Sequence, residues 1–369
     1  MRYLYAILSI LFITTTITAQ NFIGNGEYII VSAHNEKVFD VAGAKTNNGA
    51  NLAVWEYNGQ KNQKFIVTFS DNGEFTITCS HSGMNVNIAN DSQMDLGNVN
   101  QWQNNNGAAQ KFILEPVENT DMVMIVSVLS GKALTLDPNS GNIIQMSKPA
   151  ADGKQGGNLN QCWRFAQRLT FQNEGSQKKL DVQGGLKTAG TKLQIFDSNN
   201  SKAQAYDLIP VINSNNFYLR NINSFKYLTV TENNNAPGAV IEQNDFNIMA
   251  LQKFETEKVS EYSYYIKPAG SQFVLGVQNN SNINGAYVML ADKQSTATQH
   301  WKFYNYDPKS ASQHAKEELK DAGKKVIDNV QNTGSKVVDK TKETGSKAVN
   351  KAKEVGKKAK NKLKGLFKK

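Results

Sequence analysis

The chain has 369 residues, 41 Lys+Arg against 32 Asp+Glu, and two cysteines, Cys79 and Cys162. At roughly 100–200 residues per domain the length suits two domains and an extension, and two cysteines exclude a disulfide framework. The net charge of +9 is unevenly placed: residues 309–369 hold 18 Lys and 7 Asp/Glu, a net of +11, while the rest of the chain is near neutral at −2. Only the tail therefore argues for a polyanionic partner, and nothing points to specific nucleic-acid recognition.

Residues 1–19 read as a cleaved signal peptide. Arg2 precedes an apolar run over residues 4–13, and Ala19 offers a small residue at the cut. The run is shorter than the ~20 residues a spanning helix needs. The expected location is secreted, periplasmic or at the cell surface. No cysteine follows the cut, so a lipoprotein is not indicated.

The segment 38–65, VFDVAGAKTNNGANLAVWEYNGQKNQKF, sets a plan that returns five more times. An alternating apolar segment carries Asp40, a Gly/Asn turn follows, and the unit closes on a Gln-x-aromatic triplet. The triplets are Gln63/Phe65, Gln110/Phe112, Gln161/Trp163, Gln204/Tyr206, Gln252/Phe254 and Gln299/Trp301, at intervals of 47, 51, 43, 48 and 47 residues. Asp40, Asn87, Asp181, Thr229 and Gly276 each stand 23 residues before their glutamine, while Thr135 stands 26 before Gln161. Repeats at a near-fixed period decide the architecture. Short apolar runs at 28–33, 75–79 and 122–128, punctuated by Asn/Gly clusters, read as strands. The cysteines read as small core residues.

Beyond Pro308 the composition changes to Lys, Ala, Glu, Val and Thr, and Gly323, Gly334, Gly345 and Gly356 recur every 11 residues. Eleven residues make 3.67 per turn, close to an α-helix. Val326, Val330, Val337 and Leu363 are among the residues of one apolar stripe amid lysines. Each glycine costs about 1 kcal/mol relative to alanine. The tail reads as a basic amphipathic helix, or a partly disordered segment, that gains helix on an anionic membrane surface or polyanion. It resembles the 11-residue repeats of late-embryogenesis-abundant proteins.

The six-repeat region resembles the ricin B-chain-like (R-type) lectin module. Phe39-Asp40-Val41, Leu52-Ala53-Val54-Trp55 and Asn62-Gln63-Lys64-Phe65 carry the likeness. The resemblance implies an all-β protein with two tandem β-trefoils of three repeats each, at 26–166 and 167–306, abutting without a linker. The triplet aromatics then fill the core and the glutamines bond backbone near the turn.

The resemblance also implies a sugar pocket made of an Asp, an aromatic about 15 residues later, and the Asn before the closing Gln. A carboxylate is a strong acceptor for adjacent hydroxyls, a ring stacks on the apolar face of a pyranose, and an amide bonds a further hydroxyl. The first repeat has the full set, Asp40, Trp55 and Asn62, with Ala53 where some relatives have a Gln. The fourth has Asp181, Gln194 and Phe196, with Ala203 in place of the Asn. The second keeps Asn87 and Trp102. The third, fifth and sixth read as inactive.

Catalysis finds little support. His34, His81, His300 and His314 show no metal-ligand spacing, and neither a local nucleophile motif nor a phosphate loop occurs. The reading is an exported, non-catalytic lectin without cofactor whose partners are glycans. The alternative is a surface-associating or protective protein acting through its tail.

Overall fold

The structure is a computed structural model that describes residues 25–148, 158–212 and 214–308. The expected signal peptide, the tail helix and its 11-residue repeats lie outside these residues. The described residues form 23 strands and short 3-10 turns, with no α-helix among them.

Each repeat is a four-stranded unit. The first comprises β1 (Gly26–Ser32), β2 (Val38–Val41), β3 (Leu52–Trp55) and β4 (Phe65–Phe69). The second comprises β5 (Phe75–Cys79), β6 (Asn85–Ile88), β7 (Gly97–Trp102) and β8 (Phe112–Pro116). The third comprises β9 (Val123–Ser127), β10 (Ala133–Leu136), β11 (Ile143–Met146) and the start of β12 (Trp163–Asn173). The fourth uses the end of β12 with β13 (Lys179–Val182), β14 (Thr191–Phe196) and β15 (Tyr206–Pro210). The fifth is β16 (Phe217–Asn221), β17 (Tyr227–Val230), β18 (Ile241–Asn244) and β19 (Lys253–Lys258). The sixth is β20 (Tyr264–Pro268), β21 (Val274–Val277), β22 (Val288–Ala291) and β23 (Trp301–Asn305).

In every repeat the outer two strands build a barrel and the inner two form a hairpin. The ladder β1–β4–β5–β8–β9–β12 closes back on β1, all antiparallel. The hairpins β2–β3, β6–β7 and β10–β11 add the second layer. The ladder β12–β15–β16–β19–β20–β23 closes in the same way. Closure removes the exposed edges an open sheet would present. This arrangement, three repeats around a six-stranded barrel, is the β-trefoil.

The triplet aromatics sit where the period requires. Phe65, Phe112, Trp163, Tyr206, Phe254 and Trp301 are each fully buried, three in either core. Cys79 and Cys162 are both buried and free. In the first lobe Asn51, Asn98 and Asn142, one per repeat, bond head to tail at 2.8, 3.0 and 2.9 Å around the pseudo-threefold axis. At the matching positions of the second lobe Lys192 lies over the ring of Tyr287 at 5.0 Å.

β12 belongs to both lobes. Ser32 to Ile29 pair with Trp163 to Ala166, and Leu208 to Tyr206 pair with Gln167 to Leu169. Ile29, Val31, Val38 and Ala166 pack on Ile209, Tyr218 and Tyr227 between the lobes. Arg220 donates to both oxygens of Glu36 at 2.7 and 2.8 Å, and Arg164 donates to Asp121 at 2.8 Å. The Tyr227 hydroxyl also donates to Asp121, and burial raises its pKa.

Candidate functional site

The closing glutamines are structural latches, as the sequence suggests. The Nε2 of Gln63, Gln110, Gln204, Gln252 and Gln299 donates to the carbonyl seven residues earlier at 2.8–3.0 Å. Their Oε1 accepts the backbone N–H five residues earlier, from Asn58, Asn105, Asn199, Asn247 and Gln294. Each latch closes the loop between the third strand and the closing triplet, and so shapes the surface above it. In the third repeat Gln161 reaches back to Ser147 at 3.1 Å, around a longer loop.

The spacing of about 15 residues between acid and ring has a ladder explanation. Asp40 pairs with Ala53, and Trp55 is two residues further along β3. Directly opposed residues share a face, and so do residues two apart on one strand. The acid and the ring are thereby placed on one face of one hairpin. Asp181 pairs with Gln194, with Phe196 two beyond; Asn87 pairs with Asn100, with Trp102 two beyond.

In the first repeat Asp40 is 7% exposed and Trp55, at the strand end, is 63% exposed. Asn62 Nδ2 and Gln63 Nε2 both donate to Asp40 Oδ2 at 2.9 Å. Asn62 Nδ2 also reaches the Val41 carbonyl at 3.3 Å. The Asn62 amide group is thus engaged inside the protein. It holds the carboxylate in place. Burial pushes the Asp40 pKa up, while the bonds from Gln63 and Asn62 and the nearby His81 pull it down. The Lys37 ammonium lies 5.9 Å from the Trp55 ring.

In the fourth repeat Asp181 is 4% exposed and accepts from Gln194 Nε2 at 2.9 Å. Burial raises its pKa, and hydrogen bonds from Gln194 and Gln204 oppose the rise. Asp181, Gln194 and Phe196 line an open cavity of about 360 Å³ with Gly184, Gly185 and Asn223. Asn199, Ser201, Lys202 and Ala203 complete the lining. Gly184 and Gly185 hold φ of 64 and 61°, a left-handed pair that glycine adopts without the usual steric cost. Asn223 comes from the next repeat and is fixed by its Nδ2 bond to the Gly185 carbonyl at 2.9 Å.

Sequence reasoning missed Gly184, Gly185 and Asn223. The signal for the glycines was present, three residues after the acid, where the first repeat has Gly43. Asn223 gave no signal, because it enters from a neighbouring repeat. The third repeat has Pro138 at that turn position, and a proline ring fixes φ near −65° and forbids the left-handed turn.

The second repeat keeps an exposed ring, Trp102 at 38%. Asn87, however, spends its amide on the Ile88 carbonyl and on Asn100 Oδ1, both at 3.0 Å. In the third and fifth repeats Thr135 and Thr229 take the bond from Gln161 and Gln252 at 3.1 and 2.9 Å. They replace the acid as latch partners and bring no charge. The fifth repeat does carry Glu242, opposite Thr229, with Oε1 accepting from Asn244 at 2.8 Å. The sixth has Gly276, where an added Cβ would lie 3.2 Å from Gln299 Cγ.

The chain matches the family described as ricin-type beta-trefoil lectin domain-like over residues 18–102, 61–146 and 159–244, which together exceed half of its length. No curated protein matches it significantly. Among solved structures it is similar to ThreeFoil, a designed 3-fold symmetric protein, at 30% identity over 38% of this chain and 96% of that one, with a TM-score of 0.35. It is similar to the Rhizoctonia solani agglutinin at 22% identity, over 38% and 95% of the two chains, with a TM-score of 0.35. The Macrolepiota procera ricin B-like lectin in complex with lactose shares 15% identity, over 38% and 95%, with a TM-score of 0.33.

Proposed function

Because this chain belongs to the ricin-type β-trefoil lectin-like family, we propose that it is an exported, non-catalytic protein that binds glycans. Binding occurs at two sites, one in each trefoil: Asp40 with Trp55, and Asp181 with Gln194 and Phe196. One observation carries the reading. In both repeats a buried carboxylate, held by side-chain amides, shares a hairpin face with an aromatic ring. An ionised acceptor fixed beside a ring suits a pyranose, which offers hydroxyls on its edge and C–H groups on its face. Asn62 acts here by positioning Asp40. Asn87 and Trp102 make at most a stacking surface. Two sites on one chain raise avidity for a polyvalent glycan when both engage together.

A glycan array probed with the full chain and with an Asp40→Asn/Asp181→Asn double variant tests the reading. Binding by the parent that the double variant loses supports it; a blank array for the folded parent refutes it. Reproducible glycan cleavage by the parent, lost on changing one carboxylate, would refute the non-catalytic part. The segment 309–369 adds a proposed second attachment, to anionic lipid or polymer, through its 18 lysines. Co-sedimentation of the full chain with acidic vesicles, compared with a chain ending at Pro308, checks this.

A further inference from the structure

The two repeats that keep both carboxylate and ring share one more residue. The 3-10 turn that carries the closing glutamine opens with a lysine in both: Lys61 in Lys61–Gln63 and Lys202 in Lys202–Gln204. At the same position, two before the closing glutamine, the other repeats have Ala108, Leu159, Ala250 and Ala297. Ala108, Leu159 and Ala297 begin the same kind of turn, while Ala250 lies in a bend without a 3-10 turn. The turn therefore does not need a lysine, and the cation accompanies the acid–ring pair in both lobes.

Neither lysine is explained by its neighbours. Both are exposed, and neither takes part in an ion pair among the described residues. The groups acting on Asp40 are Gln63, Asn62 and His81, and those acting on Asp181 are Gln194 and Gln204. The lysines are thus not counter-ions of the buried acids. Lys202 lines the fourth-repeat cavity, where Asp181 is the other charged lining residue. Asp197, beside Phe196, is already bound by Lys178 and by Asn284 at 2.7 Å, so it does not neutralise Lys202.

Resting on the carbohydrate reading above, we propose that Lys61 and Lys202 recognise an anionic group on the bound sugar, so that both sites prefer acidic glycans. A neutral sugar needs only the carboxylate and the ring. A carboxylate or sulfate on the ligand would be repelled by Asp40 or Asp181 alone. An ammonium on a flexible stem at the pocket wall offsets that repulsion, and it reaches the anion as a point charge without strict geometry.

The test uses the full chain and matched sugars: methyl galactoside against methyl galacturonide, methyl glucoside against methyl glucuronide, and galactose against galactose 6-sulfate. Exposed ion pairs are weak, so the acidic member should bind roughly two- to fivefold tighter at low salt. Added salt should shrink the difference. The preference should fall to about one in a Lys61→Gln/Lys202→Gln variant whose melting temperature is unchanged. Preference for the uronides assigns the anion as a carboxylate, and preference for the sulfated sugar assigns it as a sulfate. Equal binding within every pair, or a preference that survives the double lysine change, overturns the proposal and leaves the carbohydrate reading standing. A parent that binds no member of any pair and no glycan on the array overturns both.

Discussion

Asp40→Asn separates binding from stability. Both internal donors, Asn62 Nδ2 and Gln63 Nε2, meet the same oxygen, Oδ2. An asparagine that points its carbonyl at them keeps both bonds and the shape of the pocket. The other oxygen, Oδ1, becomes an NH2 group. A ligand hydroxyl that donated to a carboxylate loses a charge-assisted bond worth about 1.5–3 kcal/mol. That is roughly a 10- to 150-fold loss of affinity at 1.4 kcal/mol per tenfold. Stability should move the other way. Burial raises the Asp40 pKa, so its ionised form is disfavoured in the folded chain, and that part of stability is lost as pH rises through the folded pKa. At neutral pH the neutral asparagine should melt higher. The assay is calorimetric titration with a monovalent sugar in an Asp181→Asn background, with a thermal melt of each variant. Unchanged affinity would refute the first site. Weaker binding together with an earlier melt would show Asp40 to be a structural residue.

Gln63→Ala should destabilise the first lobe by about 2–4 kcal/mol, because it strips partners from Asp40, Glu56 and Asn58 in a buried setting; denaturant unfolding measures this. Arg220→Ala should cost about 3 kcal/mol, since it leaves Glu36 without its bidentate partner between the lobes; the melt of the full chain should fall or split in two. Trp163→Ala should cost about 3–5 kcal/mol by opening a cavity in the first core, read by the same unfolding curve. Sugar binding should fall with acidification at a pH above the ordinary aspartate range, because Asp40 and Asp181 both have raised pKa values; a titration series against pH checks the direction.

The sequence by itself determined the six units and their contents. The period of the Gln-x-aromatic triplet reflects one buried ring per repeat, and the 23-residue step to Asp40 reflects one hairpin and one latch. Ladder register converts such local spacing into a shared face, so Asp40 with Trp55 and Asp181 with Phe196 could be read without coordinates. Contacts between repeats could not. That Asn223 enters the fourth-repeat cavity and that Arg220 clasps Glu36 across 184 positions of chain depend on which loops the barrel closure brings together; the inward turn of the Asn62 amide onto Asp40 lies within one repeat, and the side-chain conformation decides it. The asparagine ring of Asn51, Asn98 and Asn142 is the same case: each is an ordinary polar side chain in sequence until the fold places the three side by side. The lobe junction was likewise decided in three dimensions. β12 carries no linker signal because it is paired without a break along its length, with β1 over 163–166, with β15 over 167–169 and with β23 over 169–173.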